Sequence, residues 1–421
     1  MSGLAAILAA LLLGGGVHAR LRGACPTLSW SVGVPLWGTL GCALWLGSAA
    51  FVGAAWSAGL VIAMGIAGGV LLAPGVGRAP LRRPRLWAVA ALALALPQSL
   101  RLAANPAFAW DFRYIWGLKA RVFAAAGGYD WAWLAWPGHG FAHPDYPPLW
   151  PDLLAAPVLS GGDVRIAAAL WQGLLALALA AACWWAARDA APPLRTLAAA
   201  VGAWSPVIFA PHYSGNAEPM LAFAAVVALA SLRDLARNEP GSVLPLTASV
   251  AALALTKNEG VALAVGVVAG AIVTARGRGL ITAAGLIPGF VWRAATGLHG
   301  IFGEPLNLAP AALAHRFTAL ATSLADTLHA PAFALLAAVW ILALAGLMAR
   351  EARCVLIALA VWFVATIAMY TAGGHNLHWW LATSLDRVLA APLPGVLAVV
   401  IGVSRARDPV EAEPATILPA S

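Results

Sequence analysis

The chain has 421 residues, of which 62% are hydrophobic and 10% charged, whereas a soluble globular domain carries about 25% charged residues. A water-soluble fold of this size is excluded, and apolar blocks recurring along the whole length make lipid the natural solvent for most of the surface. The net charge of +8 comes from 25 basic residues set in short clusters between apolar blocks, a topology signal rather than a nucleic-acid surface.

In chain order, the first block, Leu4 to Val17, lacks a basic leader and is read as a retained helix. Further spans are expected at 29–49, 52–74, 86–104, 164–187, 196–212, 219–232, 243–256, 261–275, 279–292, 331–348, 354–370 and 388–403, about 13 crossings in all. The expected fold class is therefore all-α, a polytopic transmembrane helical bundle. Cys25, Cys42, Cys183 and Cys354 lie singly in apolar blocks without metal-ligand spacing and read as packing residues.

Alternate loops carry Arg20/Arg22, Arg78/Arg82/Arg83/Arg85, Arg188/Arg195, Arg233/Arg237, Arg276/Arg278, Arg350/Arg353 and Arg405/Arg407, sixteen of the 25 basic residues. The positive-inside rule makes these loops cytoplasmic, with the N-terminus outside and the C-terminus inside. The same parity turns Thr256-Lys257-Asn258-Glu259-Gly260 into an outer turn, held slightly below the surface because its flanking segments are short. No internal repeat is visible, and the tail from Arg405 to Ser421 has the composition of a disordered segment.

Polar chemistry collects in the outer loop from about Asn105 to Asp163, which holds Asp111, Lys119, Asp130, His139, His143, Asp145 and six tryptophans. Phe112, Ile115, Trp116, Lys119 and Phe123 share a helical face, so a short amphipathic helix along the interface is expected, with Asp111 opening it. Asp111 has two readings: an N-cap, or a carboxylate acting as general base on an acceptor hydroxyl or amine. The tryptophans read as an interfacial belt more readily than as a sugar platform.

The run His143-Pro144-Asp145-Tyr146-Pro147-Pro148-Leu149 reads as a rigid re-entry turn, because three prolines fix φ before an apolar stretch, or simply as the connector that starts a helix. Glu218, after the turn that starts at His212, either complements a helix N-terminus or belongs to a site. Lys257 and Glu259 sit in apolar surroundings where an ionised group costs ~2.5–3.5 kcal/mol, as a self-neutralised pair or with Lys257 facing an anion. Arg387, in the last outer loop from Gly373, either pairs with a neighbour such as Asp386 or holds phosphate through its planar fork.

Four segments in this order resemble the GT-C superfamily of polytopic glycosyltransferases: WDFRYIWGLKARV (110–122), HPDYPPLWP (143–151), LTKNEG (255–260) and SLDRVLAAPLP (384–394). The resemblance is nearest to the bacterial branch with protein O-mannosyltransferase-like and aminoarabinose-transferase-like members, and covers roughly residues 86–400. It implies residues 1–85 as an N-terminal extension of about three helices, 86–403 as a GT-C-like catalytic core, and 404–421 as a cytoplasmic tail. Two departures stand out: three spans precede the first catalytic loop, and Asn216 and Glu218 replace the Ala-Asp of many relatives.

What the resemblance implies is transfer of a sugar from a polyprenyl-phosphate donor to a cell-envelope acceptor (glycan, glycolipid or protein) at the outer face of a bacterial plasma membrane. Asp111 is then the expected base and configuration is inverted. Lys257 and Arg387, followed by Lys119 and Arg113, are the expected stabilisers of the leaving phosphate, with Asp145, Tyr146, Glu218 and Glu259 lining the site. No DxD motif stands near Asp111 and no cofactor is expected beyond the lipid-linked sugar as co-substrate, although some relatives use a divalent metal. The rival readings are a secondary transporter and a non-catalytic lipid-binding or assembly protein. A transporter predicts an internal repeat and mid-membrane charges, neither of which the sequence displays.

Overall fold

The computed structural model describes residues 3–73, 86–209, 214–303, 306–326, 337–339, 341, 349–374 and 376–403. Within these the chain is helical, with no strand: α1 (Gly3–Leu21), α2 (Trp30–Phe51), α3 (Ala58–Leu72), α4 (Leu86–Ala104), α5 (Gly117–Ala126), α6 (Trp131–Ala135), α7 (Leu149–Leu159), α8 (Val164–Ala186) and α9 (Pro192–Phe209) come first. There follow α10 (Glu218–Ala236), α11 (Val243–Thr256), α12 (Asn258–Ile281), α13 (Ile287–Leu298), α14 (Pro310–Asp326), α15 (Arg350–Ala372), α16 (Leu377–Trp380), α17 (Asp386–Ala390) and α18 (Leu393–Val403).

Eight stretches among the described residues are helical, long and apolar enough to cross a membrane. Their outward faces carry large apolar side chains suited to an apolar solvent: Leu92 and Leu100 on α4, Val273 on α12, Phe290 on α13 and Val364 on α15 are all exposed. The helices coincide with most of the spans expected from hydropathy. The expected span 331–348 and the tail 404–421 lie largely or wholly outside the described residues, as do the arginines at 78, 82, 83, 85, 405 and 407.

α10 is the axis of the bundle: all nineteen of its residues are buried, under α8, α11, α12, α15 and α18. A helix buried all round needs apolar side chains all round, and α10 departs from this only near its two ends. At its far end Arg233 donates to the Ala186 carbonyl and pairs with Asp234 at 2.9 Å, while Arg188 reaches the same carboxylate at 2.8 Å. Arg237 joins Asp189 at 2.5 Å and Glu351 at 3.5 Å, so α8, α10 and α15 are tied together there.

Two breaks turn 243–298 into three legs. Lys257 alone is extended (φ −162°, ψ 161°) between α11 and α12, and the chain folds back on itself so tightly that a Cβ on Gly260 would lie 2.3 Å from the Leu253 carbonyl oxygen. Only glycine permits that approach. The second break is Arg276 (φ 40°, ψ −110°) inside α12, after which Gly285 lies against Thr247 and Gly289 against Ala254, alongside α11 and in its direction. These legs match the segments 243–256, 261–275 and 279–292 read from the sequence.

The region 105–163 departs from the expectation of one long polar loop. Its centre is α7, eleven residues of which the first nine are buried, packed on α2, α5 and α8. The helices of residues 3–73 support this region. The Trp56 amide donates to the Gly127 carbonyl at 2.7 Å, and the Trp56 ring meets Phe123 and Tyr129 edge to face, at centroid separations of 6.2 and 5.2 Å.

Candidate functional site

Asp111 precedes a π-helical turn, Phe112–Trp116, that leads into α5. Phe112, Ile115, Trp116, Lys119 and Phe123 are all buried, so the expected face exists, but it packs on protein rather than lying on the interface. Asp111 has helical dihedrals (φ −58°, ψ −35°) and makes no capping bond, which removes the N-cap reading. Its carboxylate instead takes an ion pair from Arg387, 276 residues away.

Arg387 stands on α17 directly after a second π turn, Leu381–Leu385, which itself follows α16. Besides Asp111 it reaches Glu218 Oε1 at 3.4 Å. Glu218 opens α10, where a carboxylate complements the helix N-terminus, and its Oε1 also accepts from Lys257 Nζ at 3.2 Å. Lys257 completes the series with Glu259 at 3.3 Å. Asp111, Arg387, Glu218, Lys257 and Glu259 thus form one continuous chain of alternating charge, drawn from four separated segments. The reading of Lys257 and Glu259 as a self-neutralised pair is too small: Lys257 serves two carboxylates.

The turn that bears Glu218 is fixed by close packing. Ser214 holds the approach to Asp111, accepting from the Ala109 amide at 3.2 Å through its carbonyl and from the Phe108 amide at 3.3 Å through its hydroxyl. Gly215 has φ +90°, and a Cβ there would strike the Phe112 ring at 2.4 Å, so only glycine brings this turn against the helix of Asp111. The Trp150 indole donates to the Gly215 carbonyl at 2.9 Å.

Asn258 points the other way from its neighbours. It donates to Asp145 at 3.2 Å and accepts from Arg293 at 2.6 Å, while Arg293 also reaches Asp145 at 3.1 Å. The Trp292 indole holds the Asp145 carbonyl at 3.1 Å. The 257–259 turn therefore joins two networks: Lys257 and Glu259 to Arg387 and Asp111, Asn258 to Asp145 and α13. Arg293, Asn258 and Trp292 were given no role on sequence grounds. For Arg293 the available signal was a charge within an apolar stretch, the same signal that marked Lys257.

Lys119 lies beside this second network. Its ammonium is buried, donates to the His143 carbonyl, and sits 5.9 Å from the Trp116 ring and 5.7 Å from the Tyr146 ring. His143 itself takes a left-handed conformation (φ 46°) and stacks on Tyr146 at 4.5 Å. Burial pulls the Lys119 ammonium down to about 7, with Asp145 acting in the opposite sense. Arg113 is exposed and takes no part in either network.

The Lys119 shift sets a pH dependence. Its folded value lies below the ordinary 10.5, so between the two the unfolded chain holds more protons, and this group makes stability rise with pH across that window. Below about pH 7 the ammonium is charged in both states and its burial cost is fully present. The thermal midpoint of the wild type, relative to that of Lys119→Met, is expected to climb from pH 7 to pH 9; equal pH slopes in the two proteins would refute the assignment.

The depth of the groups separates their roles. Side-chain exposure is 21% for Asp111 and 17% for Arg387, against 2% for Glu218 and 6% for both Lys257 and Glu259. An incoming molecule therefore meets Asp111 and Arg387 first. Buried oxygens without a protein partner lie behind them, Glu218 Oε2, Glu259 Oε2 and Asn216 Oδ1, the kind of atoms that water or a bound ligand satisfies. Among the described residues no three His, Cys, Asp or Glu side chains converge as a metal-ligand set. No family model matches the chain, and neither a curated protein nor a solved structure matches it.

Proposed function

We propose that this chain is a membrane glycosyltransferase that takes a sugar from a polyprenyl-phosphate donor and passes it to a cell-envelope acceptor. The observation that carries the reading is the convergence of Asp111 and Arg387 at the open end of a charged network in a bundle of membrane-length helices. A lipid-linked donor needs this placement: its tail stays in the bilayer, its phosphate lies at the edge, and the acceptor approaches from water.

In this mechanism Asp111 removes the proton from an acceptor hydroxyl or amine. The freed lone pair forms the new bond to the anomeric carbon, and the bond from that carbon to the phosphate oxygen breaks with its electron pair leaving on phosphate. Arg387 meets the developing charge in a poorly solvated site, and Glu218, itself held by Lys257, keeps Arg387 in place from behind. Inversion of configuration follows from a single in-line displacement. The decisive experiment is mass spectrometry of envelope glycans and glycolipids with and without the protein; unchanged sugar content in every fraction would sink the proposal.

The site belongs on the outer face of a bacterial plasma membrane in this reading, with Gly140 outside and Gly277 in the cytoplasm. Both positions are exposed and open, and the four native cysteines are buried. Gly140→Cys is expected to react with an impermeant maleimide in cells with a permeabilised outer membrane, and Gly277→Cys only after lysis. The opposite pattern would invert the topology.

A further inference from the structure

We infer that Arg387 is a mask as well as a phosphate ligand: in the empty site it occupies the base, Asp111, and a phosphate-bearing lipid frees that base by taking Arg387 for itself. The inference rests on the reading of Asp111 as base and adds to it an order of events. A carboxylate oxygen that accepts a charge-assisted bond from a guanidinium has that lone pair occupied. Asp111 accepts such a bond from Arg387 at Oδ2, so that oxygen cannot take the proton of an acceptor until the arginine acquires another anion.

Three features of the structure make such an exchange feasible. Asp111 and Arg387 are the two partly exposed members of the charge chain, whereas Glu218, Lys257 and Glu259 are closed off, so an anion entering the site reaches Arg387 without breaking the deeper pairs. Glu218, 3.4 Å from the guanidinium, is a second counter-ion that keeps Arg387 in the site once Asp111 is released. Both partners also adjoin π-helical turns, 112–116 after Asp111 and 381–385 before Arg387. Such turns hold a surplus residue and are found where helices adjust at functional sites.

The consequence is an ordered reaction. A donor phosphate binds first and unmasks Asp111; an acceptor arriving early meets a neutralised carboxylate and is not activated.

The test uses the full-length protein in lipid nanodiscs, treated with a water-soluble carbodiimide and an amine, with modification of Asp111 measured by peptide mass spectrometry. Modification is expected to be slow in the empty protein. Polyprenyl monophosphate should accelerate it about tenfold, the factor corresponding to one charge-assisted bond, and Arg387→Gln should be equally fast without lipid. The neutral polyprenol should have no effect. Inorganic phosphate distinguishes the two sources of the anion, since acceleration by the lipid form alone means that the tail must deliver it, and acceleration by both means that phosphate suffices.

An unchanged rate with polyprenyl monophosphate, or wild-type slowness in Arg387→Gln, overturns the mask. Failure of the mask is distinct from failure of the glycosyltransferase reading. Unmasking without sugar transfer in any assay would leave the exchange standing and remove the transfer; transfer with Asp111 reactive at all times would do the reverse.

Discussion

Asp111→Asn is expected to reduce sugar transfer by about 10²–10⁴-fold, the contribution of a positioned general base, while the protein still folds and melts close to the wild type. The side chain caps no helix, and asparagine keeps its size and an oxygen that can accept from Arg387. Arg387 keeps Glu218 as a partner in the variant, and no buried charge is orphaned. Turnover from a lipid-linked sugar and the thermal midpoint of the detergent-solubilised protein are the two readouts. Near-normal turnover would eliminate Asp111 as the base, whereas a collapse in stability would make it a structural group.

Lys257→Met is expected to act chiefly on the fold. It leaves two carboxylates, Glu218 and Glu259, facing each other in a closed site without the ammonium that both of them contact. Breaking a buried pair from one side costs on the order of 3–5 kcal/mol. Adding Glu259→Gln removes one of the stranded charges, yet Glu218 remains with Arg387 alone, so the double variant should regain only part of the loss. Adding Glu218→Gln as well removes the second charge and should restore stability further, with transfer still impaired because Arg387 has lost its second counter-ion. Unfolding midpoints across the series check this; complete recovery of both stability and transfer at the double variant would show that Lys257 matters only to Glu259.

Helices were legible in the sequence because the alternation of apolar blocks with arginine clusters and prolines is dictated by the solvent, and the breaks at Lys257 and Arg276 fell where charge interrupts an apolar run. Members of the site were legible one at a time, Lys257 and Glu259 as costly groups in an apolar neighbourhood, Asp111 and Arg387 as ionisable groups of outer loops. Their pairing was not. Arg387 was read against its neighbour Asp386, but its observed partners lie on the helix of Asp111 and at the start of α10, contacts that no local pattern encodes. α7 did not register as a span because its eleven residues, an aspartate and two prolines among them, are too few to cross a bilayer. Asp152 within it, buried and accepting from the Tyr129 hydroxyl at 3.0 Å, likewise left no trace in the sequence reading.

The length of α10 bears on the membrane around the protein. Glu218 and Asp234 mark its two charged ends, and sixteen residues at ~1.5 Å each separate them by roughly 24 Å, short of the ~30 Å of hydrocarbon in an ordinary bilayer. The central helix is thus too short to carry its charges to both lipid surfaces. Surrounding helices must shield one end or both, or the bilayer must thin beside them. In the proposed reaction the lipid phosphate meets Arg387 beside the Glu218 end of this short helix, so the thickness of the host membrane becomes one of the variables that set how readily such a donor is engaged.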